Sequence, residues 1–331
     1  METAPPRALA DHVVVGALRD GWSLEVTSLT YEAKGAGAYH WRADTQQGPR
    51  FVTVDDLDTK PWIGTDRDAV LAGLGSAYAT AGALHDDGLP LVVAPLPATD
   101  GRRTVRLDDQ HAVAVLPLLS GTAGTWGAPI RAGDRATLLL ALARLHEPRW
   151  TARVDLPRRR RALPERAALL DALADLTGPW TGGPRAEEAR RAVAVHAVAL
   201  RERLDRFDGL AAQLDRAGPA VVVTHGEPHP GNLLTTAEGL RLLDWDTVAL
   251  AEPERDLWML DTHPGALDAY VEATGRPVDP AAVELWRLAW TLSDLAWLTD
   301  AFRHGGRRSP EAHWPTFVRL LEGGVAEPYG R

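Results

Sequence analysis

The sequence predicts an α+β protein in two parts, a small antiparallel sheet with one main helix followed by a larger, mostly helical part. Three observations carry the prediction. Short β-branched and apolar runs punctuated by turn residues crowd the first 117 positions. Beyond residue 130, long segments place apolar residues at helical spacing. Between them in character lies VVVTHGEPHPGNLLTTAEGLRLLDWDTVALAEPERDL, residues 221–257, a strand, a Gly- and Pro-rich loop and a returning hairpin.

A helix is expected over Leu9 to Arg19. Three strands follow at Ser28 to Tyr31, Ala38 to Trp41 and Phe51 to Val54, the first two joined by the small-residue loop Glu32 to Gly37. A helix is expected over Arg67 to His85, then strands at Leu91 to Ala94 and His111 to Leu116, giving a sheet of about five strands, a typical size. Residues 122–130 hold three Gly or Pro residues and read as a crossing segment, so the boundary is placed at residue 120, with parts 1–120 and 121–331. Helices are expected over Asp134 to His146, Pro164 to Leu176 and Arg185 to Arg216; the run Arg158 to Arg161 reads as a solvated helix start. Asp279-Pro280 is an N-cap with proline at the first helical position, opening a helix to about His304.

Composition narrows the function. At 331 residues, 45% hydrophobic and 24% charged, the chain is ordinary globular material with room for two units at roughly 150 residues each. The absence of cysteine excludes disulfides and thiol chemistry. No apolar run approaches eighteen residues and the start lacks an apolar leader core, so a cytoplasmic protein that does not span a membrane is expected. A formal charge of −9 argues against a nucleic-acid partner. Between Glu252 and Asp300 ten acids face three arginines, a balance that would attract a cation.

The chemistry lies in the 221–257 stretch. Phosphoryl transfer to a hydroxyl needs a carboxylate that takes the proton, an amide oxygen and a second carboxylate for Mg²⁺. Glu227, Asn232 five residues later, and Asp244 at the end of the hairpin supply these types in that order. A zinc site built from His225, Glu227 and His229 needs a helix that Gly226, Pro228 and Pro230 forbid. A zinc deaminase needs cysteines the chain lacks. A plain strand-turn-strand accounts for Gly231 and Asn232 but not for the returning Asp244.

His225-Gly226-Glu227-Pro228-His229-Pro230-Gly231-Asn232 followed by Asp244-Trp245-Asp246 resembles the aminoglycoside phosphotransferase family, which shares the bilobal protein-kinase-like fold with choline kinases. The continuation to Leu257 is most similar to its spectinomycin phosphotransferases, and Leu142 to His146 resembles the family's helix after the hinge. The resemblance covers most of the second half and the outline of the first. It implies a γ-phosphoryl transfer from ATP or GTP, with Mg²⁺ on Asn232 and Asp244, Glu227 as base, and structural roles for His225 and Asp256. It also implies nucleotide contacts at Lys34, Gly35 and Gly37 in the loop, at Thr53, and at Leu116 and Leu118 near the hinge.

The chain departs from the family at three places. Glu227 stands where aspartate is usual, Thr53 stands where the third strand carries a lysine, and the helix after it has no glutamate to pair with one. Lys34 and Lys60, the two lysines of the chain, are the alternatives for that charge. These departures leave open a second class of function, a non-catalytic kinase-like protein that binds a nucleotide or small molecule. For the substrate, Trp286, Trp290, Asp294 and Trp297 share one helical face. Trp258, Asp261, Trp290 and Asp294 are the candidates to hold a cationic, sugar-like small molecule. Spectinomycin-like antibiotics are the first such substrate by resemblance, hence antibiotic resistance as a role.

Overall fold

A computed structural model describes residues 5–34, 38–305 and 310–325. Gly35 and Gly37 lie outside the described residues. The chain forms two compact units, one of Met1–Arg158 with Val222–Leu250 and one of Arg159–Val221 with Ala251–Arg331. This division differs from the boundary expected at residue 120. The loop that carries Glu227 and the hairpin that leads to Asp244 belong to the same unit as the N-terminal sheet, because the hairpin pairs with residues of the first half.

The first unit holds a five-stranded antiparallel sheet. Helix α1 (Asp11–Trp22) precedes strands β1 (Val26–Glu32), β2 (Ala38–Thr45) and β3 (Arg50–Asp56); α2 (Arg67–Asp86), β4 (Val105–Arg106) and β5 (His111–Pro117) follow, in sheet order β1-β2-β3-β5-β4. The strand expected at Leu91 to Ala94 is not in this sheet. Val92 makes a single parallel bridge to Leu242, and the fifth position is taken by β4. Alternation separates two apolar faces. Trp41, Val52, Val54, Val113 and Val115 pack with Val14, Leu18 and Trp22 of α1, while Ala112 and Ala114 join Val70, Leu74 and Tyr78 of α2 on the other face. Thr53 and Asp55 share the α2 face, since they lie two and four residues from Phe51. Asp66 caps α2, accepting from Ala69 N–H at 2.9 Å.

The same unit continues through β6 (Thr122–Ala123), α3 (Ala132–Leu145) and the single turn α4 (Pro148–Thr151), and resumes with β7 (Val222–Thr224), the hairpin β8 (Leu233–Thr236) and β9 (Gly239–Leu242), and β10 (Ala249–Ala251). β6 pairs with β8, and β10 with β7. A Cβ at Gly124 would meet the Pro230 carbonyl at 2.2 Å, so the crossing segment passes the loop closely because it has glycine there.

The second unit is helical among its described residues: α5 (Arg166–Ala174), the long α6 (Ala186–Ala217), α7 (Glu254–Leu257), α8 (Asp268–Thr274), α9 (Pro280–His304) and α10 (Trp314–Leu321). Val193, Leu200, Leu204, Phe207, Leu210 and Leu214 form the buried stripe of α6, which packs on α9 and α10. Asp279 caps α9 through Ala281 N–H at 2.9 Å. Arg158–Arg161 is not a helix start. Arg158 bridges Leu250 within the first unit, and Arg161 turns inward to Glu252 and Asp215 of the second, two acids that its burial makes the natural partners.

Candidate active site

The loop after β7 is built by its own short-range chemistry. Gly226 takes φ +97°, a left-handed conformation that favours glycine, and turns the chain so that Glu227 leaves the strand direction. His225 is fully buried and ties the loop to the hairpin. Its Nε2 donates to the Leu243 carbonyl at 2.8 Å, and its Nδ1 accepts the Glu227 N–H at 3.1 Å, a pairing that sets the tautomer. Trp245 meets the ring edge-on at 4.8 Å, and Thr247 Oγ1 donates to the His225 carbonyl at 2.8 Å.

Asn232 closes the loop from the other side. Its Nδ2 donates to the Glu227 carbonyl at 3.0 Å, and its own carbonyl accepts Leu243 N–H at 2.8 Å. The amide oxygen is the Asn232 atom left for a cation. His229 sits between the two polar ends, with Nε2 3.6 Å from Glu227 Oε2 and 3.4 Å from Asn232 Nδ2. Trp126, from the crossing segment, packs edge-on against it at 4.6 Å.

Asp244 has φ +61°, a left-handed conformation costly for a residue with a Cβ. Asp244 lies just beyond the end of β9 and is an exposed residue. The neighbouring Asp246 carboxylate raises the Asp244 pKa well above the usual carboxylate range. Crowded acids of this kind are relieved by a cation.

The cation that the structure supplies is Lys60, from the turn beyond β3. Its Nζ lies 2.5 Å from Asp246 Oδ2 and 3.1 Å from Asp55 Oδ1, with the lysine 4% exposed. Burial disfavours the ammonium, yet Asp246 and then Asp55 hold its pKa above the ordinary lysine value. Tyr78 of α2 donates to Asp55 Oδ2 at 3.1 Å, and the Trp62 ring lies 5.8 Å from Nζ. Sequence reasoning left Lys60 as one of two alternatives and missed Asp55, Tyr78 and Asp246 as its companions. One available signal was a pair of acids ending β3 four residues before a lysine, in a chain with two lysines.

The other expected nucleotide contacts fall as follows. Thr53 is buried but meets His40, its Oγ1 3.2 Å from Nδ1, instead of a charge. His40 stacks on Phe51 at 5.2 Å, and burial first, then Lys60, push its pKa down to about 4. Leu116, opposite Phe51 in the ladder, and Leu118 are half-buried at the end of β5. Lys34 is 67% exposed and pairs with Glu32. A cavity of about 330 Å³ lies beside the crossing segment, lined by Ile130, Arg131, Asp134, Pro230 and Leu233, and excludes Glu227, Asn232 and Asp244.

In the second unit Trp258 is buried and packs against half-buried Trp290 at 5.9 Å. Asp294, one turn on, is half-buried, and Asp256 is fully buried in α7. The expected aromatic face divides: Trp286 is core and donates to Glu252 at 3.2 Å, while Trp297 is exposed against His313. The expected acidic excess is also reduced. Glu252, Glu284 and Asp261 are engaged by Arg161, Arg206 and Arg287.

The loop and hairpin lie in a fold similar to that of small-molecule kinases. The chain belongs to the phosphotransferase enzyme family, whose model matches residues 41–286. Among known proteins it is 30% identical over 280 residues to protein StrN of Streptomyces griseus, covering 78% of this chain and 80% of that one. Its fold is similar to that of spectinomycin phosphotransferase APH(9)-Ia in complex with ADP and spectinomycin (TM-score 0.70, 16% identity, 94% and 93% of the two chains). It is also similar to amicoumacin kinase hAmiN in complex with AMP-PNP, Ca²⁺ and Ami (TM-score 0.59, 12% identity, 97% and 96%). The bilobal kinase-like fold class expected from the loop motif is thus the fold of this chain.

Proposed function

We propose that this protein transfers the γ-phosphoryl group of ATP or GTP to a hydroxyl of a small cationic acceptor, an aminocyclitol or aminoglycoside in the first instance. The observation that carries the reading is the loop in which His225 and Asn232 tie Glu227 to the hairpin bearing Asp244. Glu227 takes the acceptor's hydroxyl proton as that oxygen forms its bond to γ-phosphorus. The bond from phosphorus to the bridging oxygen breaks, and its electron pair leaves on the nucleoside diphosphate. The donor set fits Mg²⁺: an amide oxygen and a crowded carboxylate, which leave places for phosphate oxygens and water. Asn232 and Asp244 would hold Mg²⁺, which would neutralise charge on the transferring group.

Lys60 is the proposed phosphate-binding cation in place of a strand lysine, and Lys34 is not needed for it. Thr53, Leu116 and Leu118 are proposed to face the nucleoside. Trp258, Trp290, Asp261 and Asp294 are proposed acceptor groups of the second unit, Asp261 sharing its charge with Arg287. Similarity in fold to spectinomycin phosphotransferase and amicoumacin kinase supports the acceptor class and a role in antibiotic resistance. No described helix is long and apolar enough to cross a membrane, and a cytoplasmic site of action accords with the nucleotide donor. A lysine buried beside Asp55 and Asp246 supports the catalytic reading over the non-catalytic one.

The test is ADP or GDP release with Mg²⁺ and ATP or GTP across aminocyclitols, aminoglycosides and small amino alcohols, with Asp244→Ala alongside. Release that requires both a panel member and Asp244 supports the reading. Failure to bind either nucleotide at millimolar concentration overturns it in favour of the non-catalytic alternative.

A further inference from the structure

We infer that Asp55 is the positioning residue for Lys60, with Tyr78 fixing Asp55 in turn, so that β3 contributes the acid and the following turn the cation of the phosphate-binding pair. The inference rests on the reading of Lys60 given above and deepens it.

The geometry is one of full occupancy. Asp55 is 1% exposed, and each carboxylate oxygen has its own donor: Oδ1 faces Lys60 Nζ at 3.1 Å and Oδ2 accepts from Tyr78 Oη at 3.1 Å. A carboxylate held at both oxygens cannot swing. Its direction is set by β3, where Asp55 pairs with Ala38 and Ala112 in the ladder, and by α2, where Tyr78 is packed among Leu57, Val70, Leu74 and Ala114. Lys60 lies outside the strand, after a short turn (Leu57–Thr59) that the sheet anchors through Leu57 N–H on the Gln110 carbonyl and through Asp56, but the lysine stem beyond it still has about 2 kcal/mol of rotamer freedom to lose. Without Asp55 the ammonium would have Asp246 as its remaining close acid. It would then follow the turn after Asp244 instead of standing at a fixed point of the sheet. The buried acid therefore does for Lys60 what a strand position does for a strand lysine. The absence of glutamate from α2 is no loss, because α2 acts one step back, through the Tyr78 hydroxyl.

The experiment measures equilibrium binding of ADP and of GDP, each with Mg²⁺, to the full chain, together with thermal melting and the split of kcat from KM for the nucleotide. Asp55→Asn, close in shape but uncharged, is expected to weaken diphosphate binding about tenfold, about 1.4 kcal/mol, in the range of hydrogen bonds to charged groups. Tyr78→Phe is expected to weaken it about threefold. In a Lys60→Met background both substitutions should change binding by less than about twofold, because an effect exerted through Lys60 disappears with it. Equal losses with and without Lys60 would mean that Asp55 acts as general scaffold, and would overturn the inference. Wild-type binding in Asp55→Asn beside weakened binding in Lys60→Met would overturn it too, leaving the role of Lys60 intact. Wild-type binding in Lys60→Met would overturn both. If Asp55→Asn does not fold, Tyr78→Phe carries the same comparison.

Discussion

Lys60→Met isolates the charge that the first unit buries. The substitution keeps an unbranched apolar stem of similar length and removes the ammonium, leaving Asp55 and Asp246 without the charge that sits 3.1 and 2.5 Å from them. At an effective dielectric near 20 each contact is worth about 5–7 kcal/mol of attraction, most of it offset by the desolvation of the three groups. Removing one partner forfeits the attraction while the desolvation of the acids remains, and breaking buried pairs in this way costs about 3–5 kcal/mol. For a unit of this size each kcal/mol shifts the melting temperature by about 2–4 °C, so Lys60→Met should melt about 6–20 °C lower at neutral pH. Adding Asp55→Asn to it should restore part of the loss, since one buried charge is then gone. Lys34→Met is the control: that lysine is 67% exposed, and its surface pair with Glu32 is worth at most about 1 kcal/mol. The assay is thermal and urea unfolding of all four proteins. A Lys60→Met protein melting within 2 °C of wild type, or a double variant no more stable than the single, would refute the account of a buried, mutually compensated cluster.

Two further predictions concern the loop and the sheet. Glu227→Gln keeps the shape of the side chain and loses the base, so kcat should fall by about 10²–10⁴-fold with Mg²⁺–nucleotide affinity within about twofold of wild type; unchanged turnover would reassign the base. His40 is held neutral in the fold, with its pKa moved from 6.5 to about 4, so the unfolded chain binds the proton first as pH falls. Its contribution is intact above pH 6.5 and is lost progressively towards pH 4, at about 1.4 kcal/mol per pH unit and about 3 kcal/mol in all. His40→Gln should flatten that part of the stability profile, as read by urea unfolding between pH 7 and pH 4.5. An unchanged slope would show that other groups set it.

What could be read from the chain before its fold was known is the part held together by neighbours in sequence. Glu227 and Asn232 are five residues apart and joined by a hydrogen bond within one turn, Gly226 needs its positive φ locally, and Asp244 returns along a hairpin with a short, turn-forming connection. Helices α2, α6 and α9 were legible for the same reason: the apolar residues they bury lie within their own spans, and Asp279-Pro280 marks the start of α9 locally. The sheet's fifth strand was misplaced because Leu91 to Ala94 and Val105–Arg106 are both short, and pairing is decided by partners elsewhere. The acidic and aromatic character of the stretch from Glu252 to Asp300 was visible, but not that Arg161, Arg206 and Arg287 would take up Glu252, Glu284 and Asp261. The buried lysine and its acids lay furthest out of reach. Thr53 and Asp55 share a face of β3, so a pattern that marks the strand cannot say which of them stands at the charge. Lys60 meets an acid 186 residues away, a pairing that only the folded chain brings within bonding distance. Local spacing determined the loop and its chemistry; long-range packing, by burying one lysine among acids from β3 and the turn after β9, decided where its cation stands.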